Sequence, residues 1–300
     1  MENQNNEIKI KDLKIIFFGT GPLAESCIYS LYVNNILPQY IVTQPDKEVG
    51  RKQILTPPKI KEWALSKREN GHNIQVLQPS SLKDIAADNP LLQDYDLAIV
   101  ASYGKIIPEN LLKKPRFGFL NVHPSDLPLY RGPSPIESAL LDGEKEIVVS
   151  IMKLDKEMDH GPILIKNKII LEELDTAQSL ELRSGAIGGD MLSNIIKNYV
   201  NGHLIPVEQN HDNATYCKMI EKGEGEISLT DNIEQVKNKW RAFYPWPSLF
   251  FFVNHNDKNV RIKISKFNLL ADTLDVAIEK VIPEGKTEMS FEDFKRGYTI

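Results

Sequence analysis

The sequence has few cysteines and no long apolar run, and each shortage excludes a class of protein. Cys27 and Cys217 are the only cysteines among 300 residues, and no Cys/His cluster surrounds either of them. Neither a disulfide framework nor a structural zinc site is therefore indicated, and a reducing, cytoplasmic location is expected. No apolar run approaches the ~20 residues of a membrane-spanning helix, and the polar N-terminus lacks a signal-peptide pattern. We expect no membrane contact.

The sequence also lacks an excess of positive charge. It contains 36 Lys and Arg against 41 Asp and Glu, a formal net charge of −5. A polyanionic partner would therefore have to bind at a local basic patch. A chain of 300 residues with 41% hydrophobic residues can form one or two domains. The sequence contains no internal repeat and no low-complexity tract.

Short apolar runs alternate with helix-compatible stretches over the first two-thirds of the chain. Residues 13–18 indicate a buried strand, and they are followed by a tight turn at 19–21 and a helix over about 22–34. The alternation continues as far as a long helix over about residues 180–200. This pattern predicts an α/β fold with a doubly wound, mostly parallel sheet.

The last third of the chain has a different pattern. The polar stretch 206–213 has the character of a linker. Short runs with alternating hydrophobicity then predict the strands of a smaller, β-rich, barrel-like domain: 250–253, 260–264 and 275–278. We therefore predict a catalytic domain over residues 1–204, a linker over 205–225 and a C-terminal domain over 226–300.

Gly19, Gly21 and Ala24 satisfy a short dinucleotide-binding pattern, and Asp46 follows about one strand–helix–strand unit later. An NAD(P)-dependent dehydrogenase is therefore one alternative. Against it, Pro22 follows the second glycine and alanine replaces the third. A tight turn within an α/β sheet is the favoured interpretation.

Asn121, His123 and Asp159 form the clearest candidate for a reactive site. Side chains two apart on a strand point the same way, so Asn121 and His123 would project together from a strand that Pro124 ends. Each residue alone is more often structural than catalytic. Together, an amide, an imidazole and a carboxylate indicate a group-transfer site.

The surrounding motifs carry a family resemblance. Residues 121–132, Asn-Val-His-Pro-Ser-Asp-Leu-Pro-Leu-Tyr-Arg-Gly, with Asp159-His160-Gly161 downstream, resemble the formyltransferases that use 10-formyltetrahydrofolate. Further matches extend the resemblance over nearly the whole chain: residues 16–20, 43–46, 50–51, 102–108 and 241–247.

The resemblance implies a role for each matching residue. Asn121, His123 and Asp159 would be catalytic, with 10-formyltetrahydrofolate as co-substrate and no metal. The folate would be bound by a further set of residues: Ser125, Asp126, Leu127, Pro128, Tyr103 and Ile107. Three departures from the family pattern are Pro124 in place of glycine, Asp126 in place of an apolar residue, and His160 within Asp-x-Gly. Asp126 places a negative charge close to the folate segment.

The chemistry of formyl transfer fits these residue types. Attack of an amine on the formyl carbon builds negative charge on the formyl oxygen, and the Asn121 amide could donate to it. A protonated His123 could stabilise the same oxygen or protonate the departing folate nitrogen, and Asp159 would favour the charged imidazole. No covalent nucleophile is needed, so Ser125 is assigned to binding.

The acceptor amine is harder to infer, because related enzymes formylate different amines. Residues 45–53 resemble the loop with which the tRNA-specific members meet the acceptor end, and Arg51 and Lys52 lie in it. Arginine can pair with phosphate or stack on a base. The predicted C-terminal part, from Ile205 to Ile300, has 13 Lys and Arg against 15 Asp and Glu, so only local basic clusters are available there. The candidate clusters are Lys237, Lys239 and Arg241, and Arg261, Lys263 and Lys266.

We therefore expect a monomeric enzyme that formylates methionine on initiator methionyl-tRNA. A formyltransferase acting on an amino-sugar nucleotide is the first alternative, and the dehydrogenase is the second. A non-catalytic tRNA-binding protein with a vestigial folate pocket is the third.

Overall fold

The structure is a computed structural model that describes residues 7–50, 53–83, 89, 91, 93–255 and 257–298. Within it the chain forms two compact units. Unit 1 comprises Met1–Pro133, Val148–Ile169 and Glu181–Tyr216, and unit 2 comprises Ser134–Ile147, Ile170–Leu180 and Cys217–Ile300. The domain boundaries expected from the sequence stay predictions.

The regular elements are numbered here in chain order. The strands are β1 (Ile15–Gly19), β2 (Tyr40–Val42), β3 (Lys47–Val49), β4 (Ile54–Thr56), β5 (Gln75–Leu77), β6 (Leu97–Ala101), β7 (Phe119–His123), β8 (Glu146–Lys153), β9 (Ile163–Ile170), β10 (Phe250–His255), β11 (Lys258–Phe267), β12 (Ile278–Pro283) and β13 (Met289–Ser290). The helices are α1 (Pro22–Val33), α2 (Lys59–Glu69), α3 (Glu109–Leu112), α4 (Pro135–Leu141), α5 (Ala177–Val200), α6 (Ile233–Phe243), α7 (Leu274–Ala277) and α8 (Phe291–Gly297).

A seven-stranded sheet in the order β5-β2-β1-β6-β7-β8-β9 dominates unit 1. The pairs from β5 to β7 are parallel, whereas β8 runs antiparallel to β7. Every residue of β1, β6 and β7 is buried, as expected for parallel strands that are covered on both faces. The predicted α/β fold with a mostly parallel sheet is confirmed.

The long helix α5 packs closely because it carries glycines where it meets its neighbours. A Cβ atom on Gly185 would lie 2.2 Å from the Leu23 carbonyl oxygen of α1, and one on Gly188 would lie 2.3 Å from Val122 Cγ1 of β7. Neither position has room for a side chain. The close packing of α5 therefore supports strand β7, which carries Asn121 and His123.

Unit 2 contains an antiparallel sheet in the order β10-β11-β12-β13, which confirms the predicted smaller β-rich part. Its core includes the rings of Phe251, Phe291 and Phe294, which contact one another. The predicted strand over residues 275–278 is wrong. Helix α7 occupies Leu274–Ala277 and leaves Val276 63% exposed, and strand β12 begins at Ile278. The apolar residues of 275–278 are therefore not the buried face of a strand.

Among the described residues, no helix combines the length and apolar character needed to cross a membrane.

Candidate active site

Asn121, His123 and Asp159 meet around a single carboxylate oxygen. The Asn121 Nδ2 atom lies 3.5 Å from Asp159 Oδ1, and His123 Nδ1 lies 3.6 Å from the same atom. The exposed fractions of Asn121 and His123 are 9% and 4%. Such burial strengthens the electrostatic interactions among these groups.

The contacts of His123 indicate where its protons lie. Its Nε2 atom is 3.0 Å from the Tyr130 carbonyl oxygen. A carbonyl oxygen only accepts hydrogen bonds, so Nε2 carries a hydrogen and donates it. The other ring nitrogen faces the Asp159 carboxylate, which is also an acceptor. The ring is thus held between the Tyr130 carbonyl and the Asp159 carboxylate.

Asp159 lies in a tight turn whose geometry explains the Asp-x-Gly pattern. Its φ angle is 49°, in the left-handed region that non-glycine residues rarely adopt. A Cβ on Gly161 would lie 2.0 Å from the Lys153 carbonyl oxygen, so this position requires glycine. The Asp159 Oδ2 atom accepts a hydrogen bond of 2.8 Å from the Gly132 N–H. The carboxylate is thus fixed from both sides.

The predicted folate segment, residues 125–128, is held mainly by its own neighbours. The Ser125 hydroxyl donates to the Leu129 carbonyl at 2.6 Å, and the Ser125 carbonyl accepts from the Ser150 hydroxyl at 2.6 Å. Leu127 is fully buried, and the peptide bond from Leu127 to Pro128 is cis. The part of residues 125–128 in folate binding stays a prediction.

Asp126, the acidic departure in this segment, is paired with a lysine from β9. Lys166 Nζ contacts both the Asp126 carboxylate and the Leu127 carbonyl oxygen. The side chains of Lys166 and Asp126 are 36% and 50% exposed, so solvent partly screens the pair. The lysine offsets the extra negative charge.

Tyr103 and Ile107 lie in the apolar core cluster beside β1 and β6. Burial raises the pKa of the Tyr103 hydroxyl to about 12. The Tyr103 carbonyl accepts from Gln44 Nε2 at 2.9 Å. Their proposed contact with folate stays a prediction.

Arg51 and Lys52, the predicted tRNA contacts, lie outside the described residues. The strands on either side of them, β3 and β4, form an antiparallel hairpin in which Val49 pairs with Ile54. The Val49 and Ile54 side chains are each more than half exposed.

The Gly19–Ala24 segment forms a tight turn. A Cβ on Gly19 would lie 2.7 Å from the Ala24 Cβ, and Gly21 has a φ of 84° immediately before α1. The local geometry of this turn is therefore enough to explain why each position is glycine. In the part of the chain that is described, no group of three or more His, Cys, Asp or Glu side chains is arranged to hold a metal ion.

Comparison with known families identifies the family of the chain. A family model described as formyl transferase matches residues 13–196, and one described as formyl transferase, C-terminal domain, matches residues 219–274. The chain belongs to the formyl transferase family.

Curated formyltransferases resemble the chain over nearly its full length. The methionyl-tRNA formyltransferase of Caldicellulosiruptor saccharolyticus is 35% identical, with 96% of this chain and 98% of the relative covered. That of Caldanaerobacter subterraneus subsp. tengcongensis is 37% identical, with the same coverage of both chains.

Among solved formyltransferase structures, the methionyl-tRNA formyltransferase from Clostridium thermocellum has a TM-score of 0.59 at 18% identity, covering 93% of this chain and 99% of its own. A sugar 3N-formyl transferase, solved in the presence of dTDP and 5-N-formyl-THF, also has a TM-score of 0.59, at 19% identity, with 85% and 89% covered. At these identities the likeness shows the fold alone.

Three residues that support the candidate site were not predicted from the sequence. Arg131, which is 1% exposed, and Gln209, which is 6% exposed, are hydrogen-bonded to each other and lie next to the Asp159 turn. Lys166 neutralises Asp126. Arg131 lies in the Arg-Gly part of the matched motif, so the motif could have indicated its importance. Gln209 lies in an apparent linker, and nothing local indicated its burial.

Proposed function

We propose that this chain transfers the formyl group of 10-formyltetrahydrofolate to the α-amino group of methionine on initiator methionyl-tRNA. The observation that carries the proposal is the meeting of Asn121 and His123 on one oxygen of Asp159. This meeting occurs in a chain whose full-length relatives are named methionyl-tRNA formyltransferases. We expect the enzyme to work as a monomer in the cytoplasm.

The proposed reaction forms one bond and breaks another. The methionine nitrogen attacks the formyl carbon, and the bond from that carbon to the folate nitrogen then breaks. Asn121 donates a hydrogen bond to the oxygen while it carries negative charge. The imidazolium of His123 stabilises the same charge, and Asp159 accepts the proton that the amine loses. The folate nitrogen leaves with the proton that His123 gives up, and the proton on Asp159 then passes to His123, so the products are formylmethionyl-tRNA and tetrahydrofolate.

The folate is proposed to lie along residues 125–128, with Tyr103 and Ile107 contributing apolar surface. The pairing of Asp126 with Lys166 supports this placement, because folate carries carboxylates of its own and an unpaired aspartate would repel them.

The tRNA is proposed to contact two separate surfaces. One is the loop between β3 and β4, with Arg51 and Lys52. The other is a face of the unit 2 sheet where the exposed Phe252 pairs across the strands with Arg261, and Phe250, which is 4% exposed, pairs with Lys263. Arg261 also lies 3.7 Å from the centre of the Phe250 ring. Aromatic and basic groups together suit a nucleic-acid backbone and its bases.

The decisive experiment measures label transfer from formyl-labelled 10-formyltetrahydrofolate to methionyl initiator tRNA. Uncharged tRNA and the His123→Ala variant are the controls. We expect label on the charged tRNA alone, and a loss of about 100-fold or more in the variant. Transfer to an amino-sugar nucleotide but not to methionyl-tRNA would overturn the proposed acceptor.

A further inference from the structure

We propose that Gln209 is a positioning residue for formyl transfer, because its side-chain amide holds the turn that presents Asp159 to His123 and Asn121. The inference rests on the proposed function, since it assigns Gln209 to the same reaction. The Gln209 amide is hydrogen-bonded to Arg131 and to the backbone of the turn rather than to His123 or Asn121. It acts through the backbone on either side of His160.

The amide of Gln209 uses both of its ends. Its Nε2 donates to the Asp159 carbonyl at 2.9 Å and to the Gly161 carbonyl at 2.7 Å. Its Oε1 accepts from Arg131 Nη2 at 2.7 Å and from Arg131 Nε at 3.2 Å. Two donated and two accepted bonds give this amide a fixed orientation, and its burial keeps water from replacing them. A carboxylate of the same shape could accept from Arg131 but could not donate to the turn.

The turn needs such support because its backbone is unfavourable by itself. Asp159 has a positive φ, and Gly161 approaches the Lys153 carbonyl too closely for any side chain. A residue in the left-handed region persists where the surroundings hold it there. Gln209 bridges the carbonyls of residues 159 and 161, so it holds this conformation directly.

Arg131 connects the same amide to the carboxylate itself. Its guanidinium bonds Gln209, and the N–H of the next residue, Gly132, donates to Asp159 Oδ2 at 2.8 Å. Arg131 is held in turn by His211 Nδ1, 2.9 Å from Nη2, and by the Thr215 carbonyl, which accepts from its backbone N–H at 2.9 Å. Asp159 is therefore fixed at its backbone by Gln209 and at its side chain by Gly132.

Gln209 belongs to a segment that is tied to the site at both ends, residues 207–216, which we call the strap. At one end, Val207 and Ile163 exchange two backbone hydrogen bonds of 2.8 Å each. At the other, Thr215 donates its backbone N–H to the Pro128 carbonyl at 3.2 Å. The strap thus joins the start of β9, just after the Asp159 turn, to the end of the predicted folate segment.

The test compares Gln209→Glu with Gln39→Glu. Gln39 also bridges backbone groups in unit 1, accepting from the Ile15 N–H at 2.6 Å and donating to the Leu13 carbonyl. We expect Gln209→Glu to lower kcat by about tenfold or more, with KM for both substrates within about threefold of the original. Gln39→Glu should leave kcat within about twofold. Equal losses of kcat in the two variants would overturn the proposal.

A double variant separates positioning from a general loss of stability. If Gln209 acts through Asp159, Gln209→Glu should cost little further activity in an Asp159→Asn background. Independent, multiplying losses would contradict the proposal. Gln209→Asn, one methylene shorter, is the second variant if Gln209→Glu does not fold, and the same kcat loss is expected because its amide cannot span the turn.

A readout independent of activity uses the ring nitrogens of His123. Their ¹⁵N NMR resonances are assigned by their loss in His123→Gln. We expect Gln209→Glu to shift them in the same direction as Asp159→Asn, and Gln39→Glu to leave them in place. Unshifted resonances in folded Gln209→Glu would overturn the positioning role, whereas absence of transfer by the unaltered protein would overturn only the proposed function.

Discussion

The Asp159 carboxylate contacts both Asn121 and His123, and its charge can be tested apart from its shape. Asp159→Asn keeps an oxygen that can accept from the Gly132 N–H but removes the negative charge. We expect kcat to fall by about 100-fold or more, because the amine loses its proton acceptor and His123 loses the carboxylate that it faces. Steady-state kinetics with methionyl-tRNA measure the effect. Asp155→Asn, in the same loop but paired with His160, is the matched control, and a comparable loss there would argue against a specific role for Asp159.

The Asp126–Lys166 pair makes a second prediction, about folate affinity. Lys166→Met leaves the Asp126 charge uncompensated, so we expect KM for 10-formyltetrahydrofolate to rise about threefold to tenfold. Removing both charges, in Lys166→Met with Asp126→Leu, should restore most of the loss. Initial rates at varied folate concentration measure both variants. A double variant as weak as Lys166→Met alone would show that the lysine acts by itself.

Glu137, in the first turn of α4, makes a prediction about stability. Burial raises its pKa above the ordinary value of 4.5, so the folded chain binds this proton more tightly than the unfolded chain. The stabilisation linked to this proton is complete below pH 4.5 and is lost as the pH rises through the raised pKa of Glu137. Glu137→Gln should therefore increase the free energy of unfolding at about pH 7 and change it little near pH 4.5. Urea unfolding at both values measures it. The exposed Glu48→Gln is the control, and an equal gain at both pH values would contradict the assignment.

At the scale of elements, local patterns predicted much of the sheet, whereas contacts between distant segments were not predictable. Strand β7 ends at a proline and helix α5 is a long uninterrupted stretch that Asn201-Gly202 closes, so the sequence indicated both. The alternation in residues 275–278 was too short to separate a helical turn from a strand, and Val276 is exposed. The burial of Gln209 depends on carbonyl groups about fifty positions earlier in the chain. No local pattern encodes such a contact.

The outer face of the β10–β11 pair makes a prediction about tRNA. Arg261 and Lys263 are exposed beside Phe250 and Phe252, whereas Lys266 on the same strand is paired with Glu279 at 2.6 Å. We expect Arg261→Gln and Lys263→Gln each to raise KM for methionyl-tRNA severalfold without changing KM for folate. Lys266→Gln is the matched control, since its charge is already neutralised. A rise in KM equal to those of the other two variants would remove this face from the proposed tRNA site.

At the scale of the whole molecule, an enzyme with a net charge of −5 has to bind a polyanion. Long-range attraction is weak in such a molecule, so the binding energy has to come from a few local basic side chains. Each phosphate that one of them neutralises contributes a slope of about −0.9 to the dependence of log affinity on log salt concentration. With a few such contacts, log kcat/KM for methionyl-tRNA should fall with a slope of about −2 to −4.

The folate KM should change far less over the same range, because few charges are involved in that step. Initial rates at varied potassium chloride, with each substrate varied in turn, measure both slopes. Arg261→Gln should make the tRNA slope shallower by about one, and Lys266→Gln should leave it unchanged. A slope near −8 would require more phosphate contacts than the proposed local clusters supply, and a wider basic surface would then have to carry the tRNA.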